Sequence, residues 1–160
     1  LTRCLGPQCQ TPPPAAWRHD PGLAAGRLDW PAGSTGTPYY VIHTGEQGAA
    51  RDVSSFAVLS FRVASAFDIK NPVLGSQNFS VRLVDSSGAV STSLAVADYG
   101  QITYPTGYGF RRSVLRSIRI PLADFKNVDL RRLARIDLIF DKNRQGAIFL
   151  TEVQFSPNAQ

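Results

Sequence analysis

The segment ADYGQITYPTGYGFRRS, residues 97–113, holds the side chains best suited to recognition chemistry: Tyr99, Tyr104, Tyr108 and Phe110, then Arg111 and Arg112. A tyrosine offers an apolar ring face to the C–H side of a sugar and a polar tip beside it. A guanidinium offers a planar fork of donors. Gly100, Pro105, Gly107 and Gly109 mark the segment as a loop, where binding groups gather when a rigid scaffold presents them. Trp30 and the pair Tyr39-Tyr40, Tyr40 foremost, join these residues as candidate ligand contacts. Neighbours in a strand face opposite ways, so one of Tyr39 and Tyr40 belongs to the core and the other to the surface. The alternative role for each ring is to pack inward and hold its loop still.

Catalytic groupings are missing from the sequence. The two histidines are His19 and His43, and no G-x-S-x-G nucleophile elbow accompanies either. Asp85, Asp98, Asp141 and Glu152 show no spacing that marks a working carboxylate pair, and Asp85 and Asp141 stand where strands end, as turn formers do. The reading is therefore not an enzyme. Arg62, Arg82 and Arg116 or Arg119 fall on outward strand positions; they either line up to read an acidic polymer or pair with Asp137 and its neighbours, and pairing is favoured. The formal net charge of +5 is carried mostly by Arg, with doublets only at 111–112 and 131–132, so no nucleic-acid partner is expected.

These groups need a frame, and the pattern supplies one. The 160 residues suit one domain. Short apolar runs separated by turn residues predict eight strands, at 27–30, 38–44, 56–65, 78–88, 89–96, 113–120, 134–140 and 147–155. Leu59, Phe61 and Val63 share a face, as do Phe79, Val81 and Leu83, and Ile136, Leu138 and Phe140. Phe149, Val153 and Phe155 are expected to do the same. Ser86-Ser87-Gly88 and Gln145-Gly146 read as hairpin turns. Pro121 ends a strand, Leu122 and Phe125 fold inward after it, and Asp129 caps the short turn that follows. No long helix is predicted. The fold class is all-β, an antiparallel β-sandwich, because two sheets are needed to bury both apolar faces. The long connections 66–77 and 97–112 fall at the sheet ends.

Residues 1–26 hold five of the 11 prolines and no periodicity, so they read as a Pro-rich linker, with residues 27–156 as the sandwich and 157–160 as a tail. Without a methionine, Leu1 reads as the start of a processed piece. Cys4 and Cys9 bracket a Gly-Pro turn and are read as a small disulfide loop, two free thiols being the alternative. No apolar stretch is long enough to cross a bilayer and no signal peptide is present, so a secreted, extracellular protein would carry its signal upstream.

A strand followed by IPLADF, then VDL, then an IDLIFD strand and GAIFLTEVQF resembles the C-terminal half of the galactose-binding-like β-jelly rolls; ARDVSSFAVLSFRV resembles the strand entry upstream. The resemblance covers roughly residues 27–156. Such domains occur as carbohydrate-binding modules and accessory domains in secreted bacterial proteins, often beside hydrolases. The resemblance implies a single non-catalytic module that holds a polysaccharide or oligosaccharide as a monomer and tethers a linked parent enzyme to it. The alternative it leaves open is an accessory domain that packs on its parent enzyme and binds no sugar. Related modules commonly carry DD or DN before the last apolar pair, where one acid helps hold a structural calcium. Here those positions are Thr151 and Glu152, so the resemblance implies at most Glu152 as a calcium ligand.

Overall fold

Alternation sorts this chain into two faces. In FAVLSFRVAS, Leu59, Phe61 and Val63 are at most 2% exposed, while the Arg62 side chain, on the other face, is 42% exposed. The same sorting buries Phe79, Val81 and Leu83, and Ile136, Leu138 and Phe140. A computed structural model describes residues 16–20, 25–32, 36–72, 75–105 and 113–157. Within them run β1 (Ala16–Asp20), β2 (Ala25–Trp30), β3 (Tyr39–His43), β4 (Val58–Ser65), β5 (Ser76–Gln77), β6 (Ser80–Asp85), β7 (Leu94–Ala95), β8 (Ile102–Thr103), β9 (Arg116–Pro121), β10 (Leu133–Ile139) and β11 (Gly146–Ser156). One sheet has the order β1-β2-β11-β4-β9, the other β3-β10-β6-β7, and every pairing is antiparallel. Leu28, Leu59, Ile118 and Ile148 of the first meet Tyr40, Val81, Leu83 and Leu138 of the second in one core. This is the expected antiparallel sandwich.

Four details correct the expectations. The linker assigned to residues 1–26 contributes β1, which pairs with β2 from Ala16↔Asp29 to Asp20↔Ala25, and Ala25 is buried. Strand 89–96 contracts to the bridge Val84↔Val90 and the two residues of β7. Gln145-Gly146 is not a hairpin turn: β10 and β11 lie in different sheets, so the link between them crosses the sandwich. Finally, β11 gains one residue between Thr151 and Gln154. Glu152 takes the left-handed φ of 52° there, and the bulge resets the alternation. Ile148, Leu150, Val153 and Phe155 therefore face the core, while Phe149 faces away with Ala25, Ala64, Ala66 and Ala147.

The long connections lie together, joined by β5 and β8 through Ser76↔Thr103 and Gln77↔Ile102. Asn71 ties them to the sheet: its amide reaches Ser65 Oγ (3.0 Å), the Ala66 carbonyl (2.6 Å) and the Ala147 carbonyl (2.7 Å). Its oxygen accepts from Gln77 Nε2 and the Ala147 N–H, both at 2.7 Å. Leu122 and Phe125 are buried as expected, and Asp129 accepts the Arg131 N–H at 3.0 Å.

Asp85 closes the end of β6. It accepts from the Ser87 hydroxyl and N–H, from the Ala89 N–H (3.2 Å) and from the Asp129 N–H (3.2 Å). These bonds, the Ser87 hydroxyl foremost, hold its carboxyl at about 2, below the ordinary 3.8. A folded value below the unfolded one stabilises above the unfolded value and is lost as pH falls through the folded one. Melting temperature should therefore drop between pH 4 and pH 2, and Asp85→Asn should flatten that slope while lowering stability at pH 7. Thermal melts across pH on both proteins check this.

Candidate functional site

The register of β3, β10 and β6 builds a patch on the outer face of the four-stranded sheet. Tyr39 lies opposite Ile139, which lies opposite Ser80. Val41, Asp137 and Arg82 form the next row, and His43, Arg135 and Val84 the third. Alternation puts these nine side chains on the face opposite Tyr40, Ile42, Ile136, Leu138, Val81 and Leu83; Val41, Ser80, Val84 and Asp137 are nevertheless buried there, so the partly exposed members are Tyr39, His43, Arg82, Arg135 and Ile139. Two strand spacings by two i, i+2 steps make the patch roughly 10 Å by 13 Å.

Its centre is an ion triad. Arg82 Nε donates to one oxygen of Asp137 and Arg135 Nε to the other, each at 3.0 Å. Asp137 is 1% exposed, although it lies on an outward face, because the two guanidiniums cover it; they remain about a third exposed themselves. Each arginine is anchored by its Nε edge. Among the described residues, the Nη groups of neither make a protein hydrogen bond. The result is two oriented forks of donors on the sheet face that also carries Tyr39, the combination of apolar ring and planar donors that a sugar ring needs. At the edge of the patch, Ser80 Oγ donates to Asp141 at 3.0 Å.

The residues chosen from sequence fare differently. Trp30 is a correction: it is 0% exposed, stacked on Phe140 at 4.2 Å and 17°, and its Nε1 donates to the Asn143 carbonyl at 3.1 Å. Gly146 sits over it, where a Cβ would lie 2.3 Å from the indole. Tyr40 is also a correction, being the core member of its pair at 6% exposed, with burial raising its phenol pKa. Tyr99 packs its ring on the core and donates to Asp124 at 2.8 Å; burial and that carboxylate push it up to about 12. Tyr104 sits among the loops beside β5 and β8, off the patch, its ring 5.8 Å from Phe67 and its N–H on the Gly75 carbonyl. Tyr108, Arg111 and Arg112 lie outside the described residues, as do Cys4 and Cys9.

The outward arginines do not form one row. Arg82 belongs to the four-stranded sheet and pairs with Asp137, as anticipated, while Arg62 and Arg119 belong to the five-stranded one. On that second sheet, Arg27 binds Asp29 and Asp68, Lys70 binds Asp29, and Arg27 lies 5.9 Å from the Phe149 ring centre. Burial pushes Asp29 up, but Arg27 and Lys70 outweigh it and hold the carboxyl below the ordinary range.

Glu152, the calcium candidate, is engaged within the protein. It stands on the bulge, and its carboxylate takes the Arg62 guanidinium at 3.3 Å. Among the described residues, no three His, Cys, Asp or Glu side chains converge on one point. Of the patch residues, Tyr39 was the surface member expected of the Tyr39-Tyr40 pair, whereas His43 and Arg135 were missed as site members. The available signal was the i, i+2 spacing of Arg135 and Asp137 in a strand whose other residues are apolar.

No protein-family model and no curated protein matches the chain. Solved structures do. A family 30 carbohydrate-binding module superposes with a TM-score of 0.70 at 12% identity, over 92% of this chain and 75% of that one. A family 11 module from Clostridium thermocellum, in complex with a β-1,3-1,4-mixed-linked tetrasaccharide, gives 0.55 at 12% identity, over 82% and 75%. An exo-β-agarase gives 0.58 at 17% identity, over 91% of this chain and 22% of the enzyme. At such identities the likeness shows the fold, the β-jelly-roll sandwich of carbohydrate-binding modules.

Proposed function

We propose that the chain is a non-catalytic carbohydrate-binding module whose site is the outer face of the four-stranded sheet. The observation that carries this reading is the Arg82–Asp137–Arg135 triad, which holds two forks of donors, unengaged among the described residues, on the face that carries Tyr39. A polysaccharide strand lies across the three rows, ring faces on Tyr39 and hydroxyls on the guanidiniums. The family 11 structure, with its bound tetrasaccharide, supports the ligand class. Likeness to 22% of the exo-β-agarase chain supports a linked parent enzyme, which the module would hold at its polymer outside the cell. The module acts as a monomer and without bound calcium at Glu152.

A second reading has its own observation. Phe67, Ile69 and Val114 are 44%, 96% and 68% exposed. Such side chains fit an accessory domain that packs on its parent and binds no sugar. One experiment separates the two: retention of the purified chain on insoluble and soluble polysaccharides, with and without Ca²⁺. Retention by a glycan in both conditions is expected. Retention by none, together with self-association of the chain, sinks the first reading in favour of the second.

A further inference from the structure

Where β3 and β10 meet the bulged end of β11, the sandwich opens into a cleft of about 370 Å³ lined by Ile42, His43, Thr44, Arg51, Phe56, Ile136, Val153, Gln154 and Phe155. Its size falls in the range of small-ligand sites, and its lining joins five apolar side chains to four polar residues, His43, Thr44, Arg51 and Gln154. The bulge builds the floor. The extra residue at Glu152 turns Val153 and Phe155 inward, and Phe155 meets Phe56 at 6.2 Å between ring centres.

The polar rim is uncommitted. Among the described residues, Arg27, Arg62, Arg82 and Arg135 are each held by a carboxylate, whereas the guanidiniums of Arg51, Arg116 and Arg144 have no protein partner, and of these three only Arg51 lines the cleft. His43 and Gln154 side chains likewise make no protein hydrogen bond there. The nearby Asp52 carboxylate is engaged by the Ser54 N–H and hydroxyl, at 2.9 and 2.7 Å. Yet Arg51 is rooted firmly: its backbone N–H donates to the Leu133 carbonyl (2.8 Å) and its carbonyl accepts the Leu133 N–H (3.0 Å). An unpaired cation on a fixed root, above an aromatic floor, is built for an anion attached to an apolar ring face.

We infer that this cleft binds an anionic sugar residue of the uronic-acid type, with Arg51 on the carboxylate and the ring against Phe56 and Phe155. His43 belongs both to the cleft and to the third row of the sheet patch, so the cleft continues the proposed site and receives the charged end of a glycan lying across it. This inference rests on the glycan-binding reading and narrows its ligand.

The test is a titration of the ¹⁵N-labelled chain with sodium glucuronate and sodium galacturonate, against glucose, galactose and sodium acetate. One or both uronates should shift His43, Thr44, Arg51 and Gln154, with the neutral sugars and acetate leaving them in place. Arg51→Gln should weaken that response at least about tenfold while preserving the spectrum elsewhere, because only the backbone of Arg51 bonds to Leu133. Unmoved cleft resonances with both uronates, equal shifts with the neutral sugars or acetate, or an unchanged Arg51→Gln response would each overturn the inference. These outcomes are independent of polysaccharide retention, so the glycan-binding reading can survive the loss of the cleft, and its own failure shows separately as no retention.

Discussion

Trp30→Ala is expected to destabilise the fold by about 4 kcal/mol, the usual range for removing a large buried aromatic. The indole is fully buried, stacks on Phe140 and donates to Asn143, and Gly146 is fitted closely over it. Its removal leaves a cavity between β2 and the β10–β11 crossing and strands the Asn143 carbonyl. Glycan affinity of the folded fraction, measured well below the lowered melting temperature, should stay within about twofold, because Trp30 faces the core and the patch lies across the other sheet. Melting curves and binding titrations on the same variant separate a core residue from a ligand platform. A normal melting temperature with lost binding would restore Trp30 to the site.

Asp137→Ala is the second large effect, and it should appear in both readouts. Removing one partner of a fully buried ion pair costs about 3–5 kcal/mol. Arg82 and Arg135 are about a third exposed and can regain water, so about 2 kcal/mol is expected here. Binding should fall about tenfold or more, since both donor forks lose the anchor that aims them. Asp137 is a positioning residue, too buried to meet the ligand itself. Asp137→Asn keeps an acceptor but loses the charge, so it should recover part of the affinity. Binding lost in proportion to stability alone, with no rescue by Asn, would reduce the triad to a structural knot.

Much of the frame was legible because burial follows alternation. Leu59, Phe61 and Val63, or Ile136, Leu138 and Phe140, can be placed from the sequence by counting in twos. Two features resist counting. β1 is held by ladder hydrogen bonds that any side chains permit, so AWRHD carries no pattern to read. The bulge at Glu152 shifts the count by one, which is why Phe149 turned out to face away from Val153 and Phe155. The site was harder. The pairing of Arg82 with Asp137 could be anticipated, but the patch needs the register of three strands, and residues 39–43, 80–84 and 135–139 meet only in the fold. An aromatic residue in sequence does not reveal whether its ring packs or projects. Trp30 and Tyr40 packed into the core, and Tyr99 gave its hydroxyl to Asp124.

The central claim is that glycan lies on the outer face of the four-stranded sheet. Its most direct test is to add the polysaccharide fragment retained in the panel to the ¹⁵N-labelled chain and map which amides move. The account predicts the largest shifts at Tyr39, Val41, His43, Arg82, Arg135 and Asp137, with Phe67 and Tyr104 unmoved. Shifts confined to Phe67, Tyr104 and the loops around them would contradict it and move the site off the sheet face onto those loops.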